Sequence, residues 1–150
     1  HPEYRRQRQM CIRDRLKNMK NDCELIAKKN NIKFYWNSKF PINSLYIMRG
    51  YLVIKDKVKE NYFDNCFNAY WRDNIDISNE NNVEMILEKT GIIKKEFFEK
   101  INQIEIKNKL KEFTDKAFEK DVFGAPTFIV NNKIFWGQDR LEYAIDELNS

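Results

Sequence analysis

The sequence has a single histidine, His1 at its very start, and three cysteines (Cys11, Cys23 and Cys66) without a C-x-x-C among them. Neither spacing supplies a ligand cluster, so no metal site is expected. A Ser-His or Cys-His catalytic pair inside the body is excluded as well. Three cysteines cannot all pair with one another, which favours free thiols in a reducing compartment. Also missing is any run of about 18 apolar residues, so no membrane-spanning helix is expected. No apolar stretch of signal-peptide type follows the first arginines. A soluble, cytoplasmic protein with no membrane partner is the simplest class.

What is present suits one folded domain. At 150 residues, with 42% hydrophobic and 14% aromatic content, the chain can bury about two-thirds of its unfolded surface. The net charge of +4 raises the question of nucleic acid, and its location argues against it. Five of the eight arginines (Arg5, Arg6, Arg8, Arg13 and Arg15) fall in the first 15 residues. Beyond them, 22 basic residues face 21 acidic ones, mixed as on a solvated helical surface. Residues 1–15 therefore read as a basic tail of separate origin, and no nucleic-acid partner is expected. The rival reading, a non-enzymatic helical binding module with a basic arm, would show salt-dependent DNA binding.

From Leu16 the spacing predicts helices. Leu16, Met19, Cys23 and Ile26 recur at three- and four-residue steps, stopped by Asn30-Asn31. Ile32 to Trp36 reads as an extended link. A helix opens at Asn43 or Ser44, with Leu45, Met48 and Leu52 on one face. Another spans Asp56 to Arg72, its stripe made of Val58, Tyr62, Cys66, Phe67 and Tyr70; Cys66 there reads as a packed thiol. Asp76-Ile77-Ser78 caps a helix carrying Val83, Ile86 and Leu87 that ends at Gly91. Phe97, Phe98 and Ile101 mark a short helix, and Ile106, Leu110, Phe113 and Ala117 a longer one. These stripes read as core.

At Gly124 the period changes. Thr127 to Val130 is a strand, Lys133 to Trp136 answers it, and Asn131-Asn132 can both take the positive φ of a type I′ turn. Asp139-Arg140-Leu141-Glu142 has capping-box spacing for a last helix, whose buried edge is Leu141, Ile145 and Leu148. Two strands and one helix make no independent sheet, so the first strand calls for a further neighbour. The organisation is a tail (1–15), a helical region (16–121) and a β-β-α region (122–150).

The run Val122-Phe123-Gly124-Ala125-Pro126-Thr127-Phe128, then Phe135-Trp136-Gly137-Gln138-Asp139-Arg140-Leu141, resembles the C-terminal signature of 2-hydroxychromene-2-carboxylate isomerases. That family is grouped with kappa-class glutathione transferases and Dsb-type thioredoxin-like oxidoreductases. Phe40-Pro41-Ile42-Asn43-Ser44-Leu45 resembles its Phe-Pro-Ile-Asn-Thr-Leu segment. Ala69-Tyr70-Trp71 with Asp76-Ile77-Ser78 is similar to its helical insertion. The resemblance covers about Leu16 to Leu148.

It implies an α/β thioredoxin-like fold of the Dsb/kappa glutathione transferase type. The helical insertion and the C-terminal β-β-α half are expected here, and the N-terminal β-α-β half is expected to be missing. With that half would go the nucleophile, so no catalytic residue is expected in the chain and the chain alone is expected to be inactive. The activity implied is glutathione-dependent isomerisation of an aromatic small molecule, with a homodimer compatible. A kappa-type transferase or a Dsb-like thiol-disulfide oxidoreductase is the near alternative.

Carried over by position, Ala125-Pro126 is expected to be a cis peptide that presents Ala125 to glutathione. Trp136, Gly137, Gln138 and Asp139 are expected to hold its γ-glutamyl end. There, helix N–H groups suit a carboxylate and Asp139 suits an ammonium. Phe40 and Asn43 are the candidates for the aromatic substrate pocket.

Overall fold

Helix α1 (Pro2–Lys29) starts earlier than the Leu16 periodicity suggests. Proline at the first helical position lacks only an N–H that would be orphaned anyway. The Arg, Gln, Lys and Met that follow are good helix formers whatever their face. In the computed structural model the backbone is described for residues 2–150 and side chains from Asp14 onward. The helix closes at Asn31, whose positive φ of 54° ends it, with the Ile32 N–H donating to the Ala27 carbonyl at 2.8 Å. Ala27 is buried, whereas Leu16, Met19 and Ile26 are exposed. The stripe is there in sequence, but its seat is one small residue.

The chain divides into two units, His1–Gln103 and Ile104–Ser150. In the first, the core is built from α3 (Asp56–Trp71), α4 (Glu80–Thr90) and α5 (Lys94–Ile101). Tyr62, Cys66, Ala69 and Tyr70 of α3 meet Val83, Ile86 and Leu87 of α4 and Phe97 and Ile101 of α5. Burying Leu87 and Phe97 contributes about 1.5–3 kcal/mol each. Helix α4 starts differently from the expected cap. Asn79 is its N-cap, accepting the Asn81 N–H at 3.0 Å, while Asp76 closes a turn of its own by accepting the Ser78 N–H and hydroxyl. Its end is as expected: Gly91 sits at φ 72°, a left-handed conformation that glycine adopts at no steric cost.

Helix α2 (Leu45–Val53) presents the opposite face from the one its spacing suggested. Leu45 and Met48 are exposed, and Tyr46, Ile47 and Val53 pack on the core. Gly50 decides this: a Cβ there would run into the Tyr62 hydroxyl and the Phe97 ring. Only a bare backbone can approach so closely, so the glycine side turns inward. Phe67 also departs from the expected α3 stripe. It is half exposed and stacks on Phe63 at 4.3 Å between centroids.

The second unit holds α6 (Ile104–Glu119), β1 (Thr127–Val130), β2 (Lys133–Trp136) and α7 (Leu141–Leu148). The unit boundary thus groups α6 with the hairpin. None of its residues is buried and Phe113 is exposed, contrary to the core reading of that stripe. The strands pair antiparallel with Val130 opposite Lys133 and Thr127 opposite Trp136. Asn131 and Asn132 turn between them at φ 50° and 60°, as a type I′ hairpin requires. Among the described residues the sheet has these two strands.

Helix α7 differs in two ways. A 3-10 turn (Gln138–Arg140) precedes it and no side chain caps either, so Asp139 is not a capping-box residue. Its buried residue is Ala144, whereas Leu141, Ile145 and Leu148 are exposed. A two-stranded ribbon is too narrow to cover a full helical stripe, and α7 lies on it through its smallest side chain. Glu147 fixes the other end, accepting from Lys133 Nζ at 2.7 Å and from Asn131 Nδ2 at 3.3 Å.

Candidate functional site

The segment entering β1 is held from three sides. The Thr127 hydroxyl donates to the Gly124 carbonyl at 2.6 Å. The Phe123 ring lies 5.2 Å from the Trp136 ring. Gly124 faces the Trp136 indole nitrogen so closely that a Cβ would collide with it. The Ala125–Pro126 bond is cis, and so is Phe40–Pro41. Across the ribbon, the Gly137 N–H donates to the Pro126 carbonyl at 3.0 Å.

That bond sets which backbone groups remain open. Hydrogen-bonded positions alternate along an antiparallel pair. With Pro126 bonded to Gly137 and Val130 flanking the two-residue turn, the in-facing residues are Pro126, Phe128 and Val130. Thr127 and Ile129 then direct their N–H and C=O away from β2. Among the described residues no strand pairs with that edge. An exposed row of this kind is a template for an extended, peptide-like ligand or strand.

The candidates from 136 to 139 converge on the same joint. Gly137 takes φ 111°, open to glycine and costly for other residues. Asp139 folds its carboxylate back so that Oδ1 would lie 2.6 Å from a Cβ at Gly137, and it forms a 3.4 Å ion pair with Arg140. No side chain caps the 3-10 turn, and with the Arg140 N–H donating to the Gly137 carbonyl at 3.1 Å it is the N–H groups of Gln138 and Asp139 that can face an anion. Beside them runs an open groove of about 470 Å³, lined by Ile134, Phe135, Trp136, Arg140 and Tyr143. Arg140 lies 5.6 Å from the centre of the Tyr143 ring. The structure thus brings Ala125, Pro126, Trp136, Gly137, Gln138 and Asp139 to one end of the ribbon. Arg140 and Tyr143 are additions, visible in sequence only as the polar side of a helix start.

Phe40 and Asn43 belong to the helical unit. Phe40 is half-buried in an aromatic cluster, 5.0 Å from Trp36 and 6.0 Å from Trp71 between centroids. Asn43 Oδ1 accepts the Leu45 N–H at 3.0 Å, so its carbonyl starts α2. The residue that orders this region is Asn37, which spacing alone did not single out. It is 1% exposed and donates from Nδ2 to the carbonyls of Tyr70 and Ile75 at 2.9 and 3.0 Å. Its Oδ1 accepts the Lys39 N–H at 2.8 Å. Cys66 is inert by placement: it is buried, and burial pushes its thiol up to about 12, partly offset by a hydrogen bond with Tyr62.

Comparison with known proteins decides the family: residues 3–149 match the DSBA-like thioredoxin domain. The chain belongs to that family. Its fold, mostly helical with a small two-stranded sheet, is the DSBA-like thioredoxin fold. A solved structure of 2-hydroxychromene-2-carboxylate isomerase superposes with a TM-score of 0.80 at 24% identity, over 92% of this chain and 68% of that one. Among curated members, the 2-hydroxychromene-2-carboxylate isomerase of Pseudomonas sp. (strain C18) is 34% identical over 80 residues. That alignment takes in 53% of this chain and 38% of the relative. The enzyme of the same name from Sphingobium xenophagum is 24% identical over 129 residues, 86% of this chain and 66% of the relative. The DSBA-like chain thus spans less than two-thirds of either relative's length. Among its described residues no helix is long and apolar enough to cross a membrane.

Proposed function

We propose that this chain serves a glutathione-dependent isomerase acting on 2-hydroxychromene-2-carboxylate or a similar aromatic molecule. The observation that supports the reading is the bond between Pro126 and Gly137, which ties the residue after Ala125 to the turn that carries Asp139. Ala125 offers its backbone N–H and C=O to the cysteinyl unit of glutathione, as a neighbouring strand would. Gln138 and the first-turn N–H groups meet the γ-glutamyl carboxylate, Asp139 meets its ammonium, and Trp136 with Gly137 shapes the wall. The donors and acceptors at this end of the ribbon suit the paired ammonium and carboxylate of the γ-glutamyl unit.

When bound, glutathione supplies a sulfur that adds reversibly to the substrate and lets a carbon–carbon bond rotate. The chain's own part is to bind and orient, and none of its residues is proposed as catalytic. Phe40 offers an aromatic face, and Asn43 its free carboxamide N–H₂, to the substrate. A transferase or thiol-disulfide oxidoreductase would use the same binding residues; the names of the relatives favour the isomerase.

The test is to follow 2-hydroxychromene-2-carboxylate spectroscopically with the protein that carries this chain. Interconversion that needs glutathione supports the reading. Conversion at the same rate without glutathione, or none with it, overturns it.

A further inference from the structure

A cavity of about 230 Å³ opens in the helical unit where the first turn of α3 meets the link between α4 and α5. Its floor is apolar: Val53, Ile54, Val58, Ile92 and Phe97 line it. Gly91 forms part of the wall, and nothing lies within 4 Å of where its Cβ would be. Ile93 stands at the mouth, 62% exposed, as a large apolar group left to water. A cavity of about 150 Å³ lined by such side chains is enough to admit benzene.

The rim carries more positive than negative charge. Lys55, Lys57 and Lys100 line it against a single carboxylate, Glu96. Glu96 is held loosely by Lys100, at 3.7 Å, and among the described residues neither Lys55 nor Lys57 has an ion-pair partner. The first turns of α3 and α5, which begin after Lys55 and Ile93, have no side-chain cap and carry Asp56 and Glu96; Asp56 is engaged by Lys59 at 2.8 Å, so the surplus positive charge rests on Lys55 and Lys57. An apolar floor under a surplus of ammonium groups suits a ligand with an apolar body and one negative end.

We propose that this cavity is a binding site for a small carboxylate with an apolar body of about one ring. The body fills the floor over Val58 and Phe97, and the carboxylate faces Lys55 and Lys57. The site is separate in its residues from the glutathione-binding ones and does not depend on that reading.

The probe is benzoate, titrated into the full chain and followed by amide resonances, with benzyl alcohol as its neutral counterpart. Saturable shifts centred on Val58, Gly91 and Ile92 are expected, with benzyl alcohol at least about ten-fold weaker. The double variant Lys55→Gln/Lys57→Gln is expected to weaken benzoate about ten-fold and leave benzyl alcohol unchanged. Ile93→Glu, at an exposed position, places a negative charge at the mouth and is expected to abolish benzoate binding. Non-saturating shifts, shifts centred on the hairpin, or wild-type affinity in both variants would overturn the proposal. Glutathione titrated in parallel reads the other site, so the two readings fail separately.

Discussion

The Gly137 N–H and the Pro126 carbonyl are joined by a 3.0 Å hydrogen bond. It is the first rung of the ribbon, and it fixes the phase of every rung after it. Because Pro126 faces inward, Thr127 faces outward, and its backbone groups are open to a ligand. Because Gly137 takes part, the turn carrying Gln138 and Asp139 starts at the same level as Ala125. One bond therefore aligns two segments about ten residues apart in sequence.

Adding a methyl group at Gly124 tests how tightly that end of the ribbon is packed. Gly124→Ala puts its Cβ into the Trp136 indole, and the ring must swing away from Phe123. We expect a loss of about 1–3 kcal/mol in urea unfolding and a displaced Trp136 indole N–H resonance. An unmoved resonance with unchanged stability would show that the approach is looser than described.

Asn37 makes a larger prediction in the helical unit. Asn37→Leu keeps the branched skeleton and removes all three hydrogen bonds, leaving the buried Tyr70 carbonyl and the partly buried Ile75 carbonyl without that donor. Each unsatisfied group costs about 1–3 kcal/mol, so a loss of about 2–5 kcal/mol is expected in chemical denaturation. The near-ultraviolet signal of the Trp36, Phe40 and Trp71 cluster should weaken with it.

Cys66 predicts an alkaline limb to the stability curve. Its folded thiol sits at about 12 against an ordinary 9.0, because burial penalises the thiolate. The unfolded chain therefore releases this proton first. The stabilisation is complete below about pH 9 and is lost as pH rises towards 12. Urea midpoints measured across that window should fall more steeply for the wild type than for Cys66→Ala. In the folded protein Cys66 should also resist alkylation near neutral pH.

Much of this was legible in the sequence where a local rule had no competitor. Asn131-Asn132 specified a type I′ turn, and Gly91 ended α4 with the conformation expected of it. The signature from Phe123 to Arg140 named six residues that converge at one end of the ribbon. Helix α2 misled because it is apolar almost all round, so periodicity offered two faces and only the contact of Gly50 with Tyr62 and Phe97 chose between them. In α7 the large residues Leu141 and Ile145 outweighed Ala144 in the pattern, yet a narrow ribbon selects the small one. Asn37 was invisible because an asparagine in an extended link reads as a loop residue. Its role depends on carbonyls more than 30 positions away.

Titration calorimetry of glutathione into the protein carrying this chain, with Asp139→Asn alongside it, reads whether the end of the ribbon holds the tripeptide. Saturable one-to-one binding is expected, weakened about ten-fold in Asp139→Asn through loss of a charged partner for the ammonium. No heat of binding in the wild type, or equal affinity in Asp139→Asn, would contradict it.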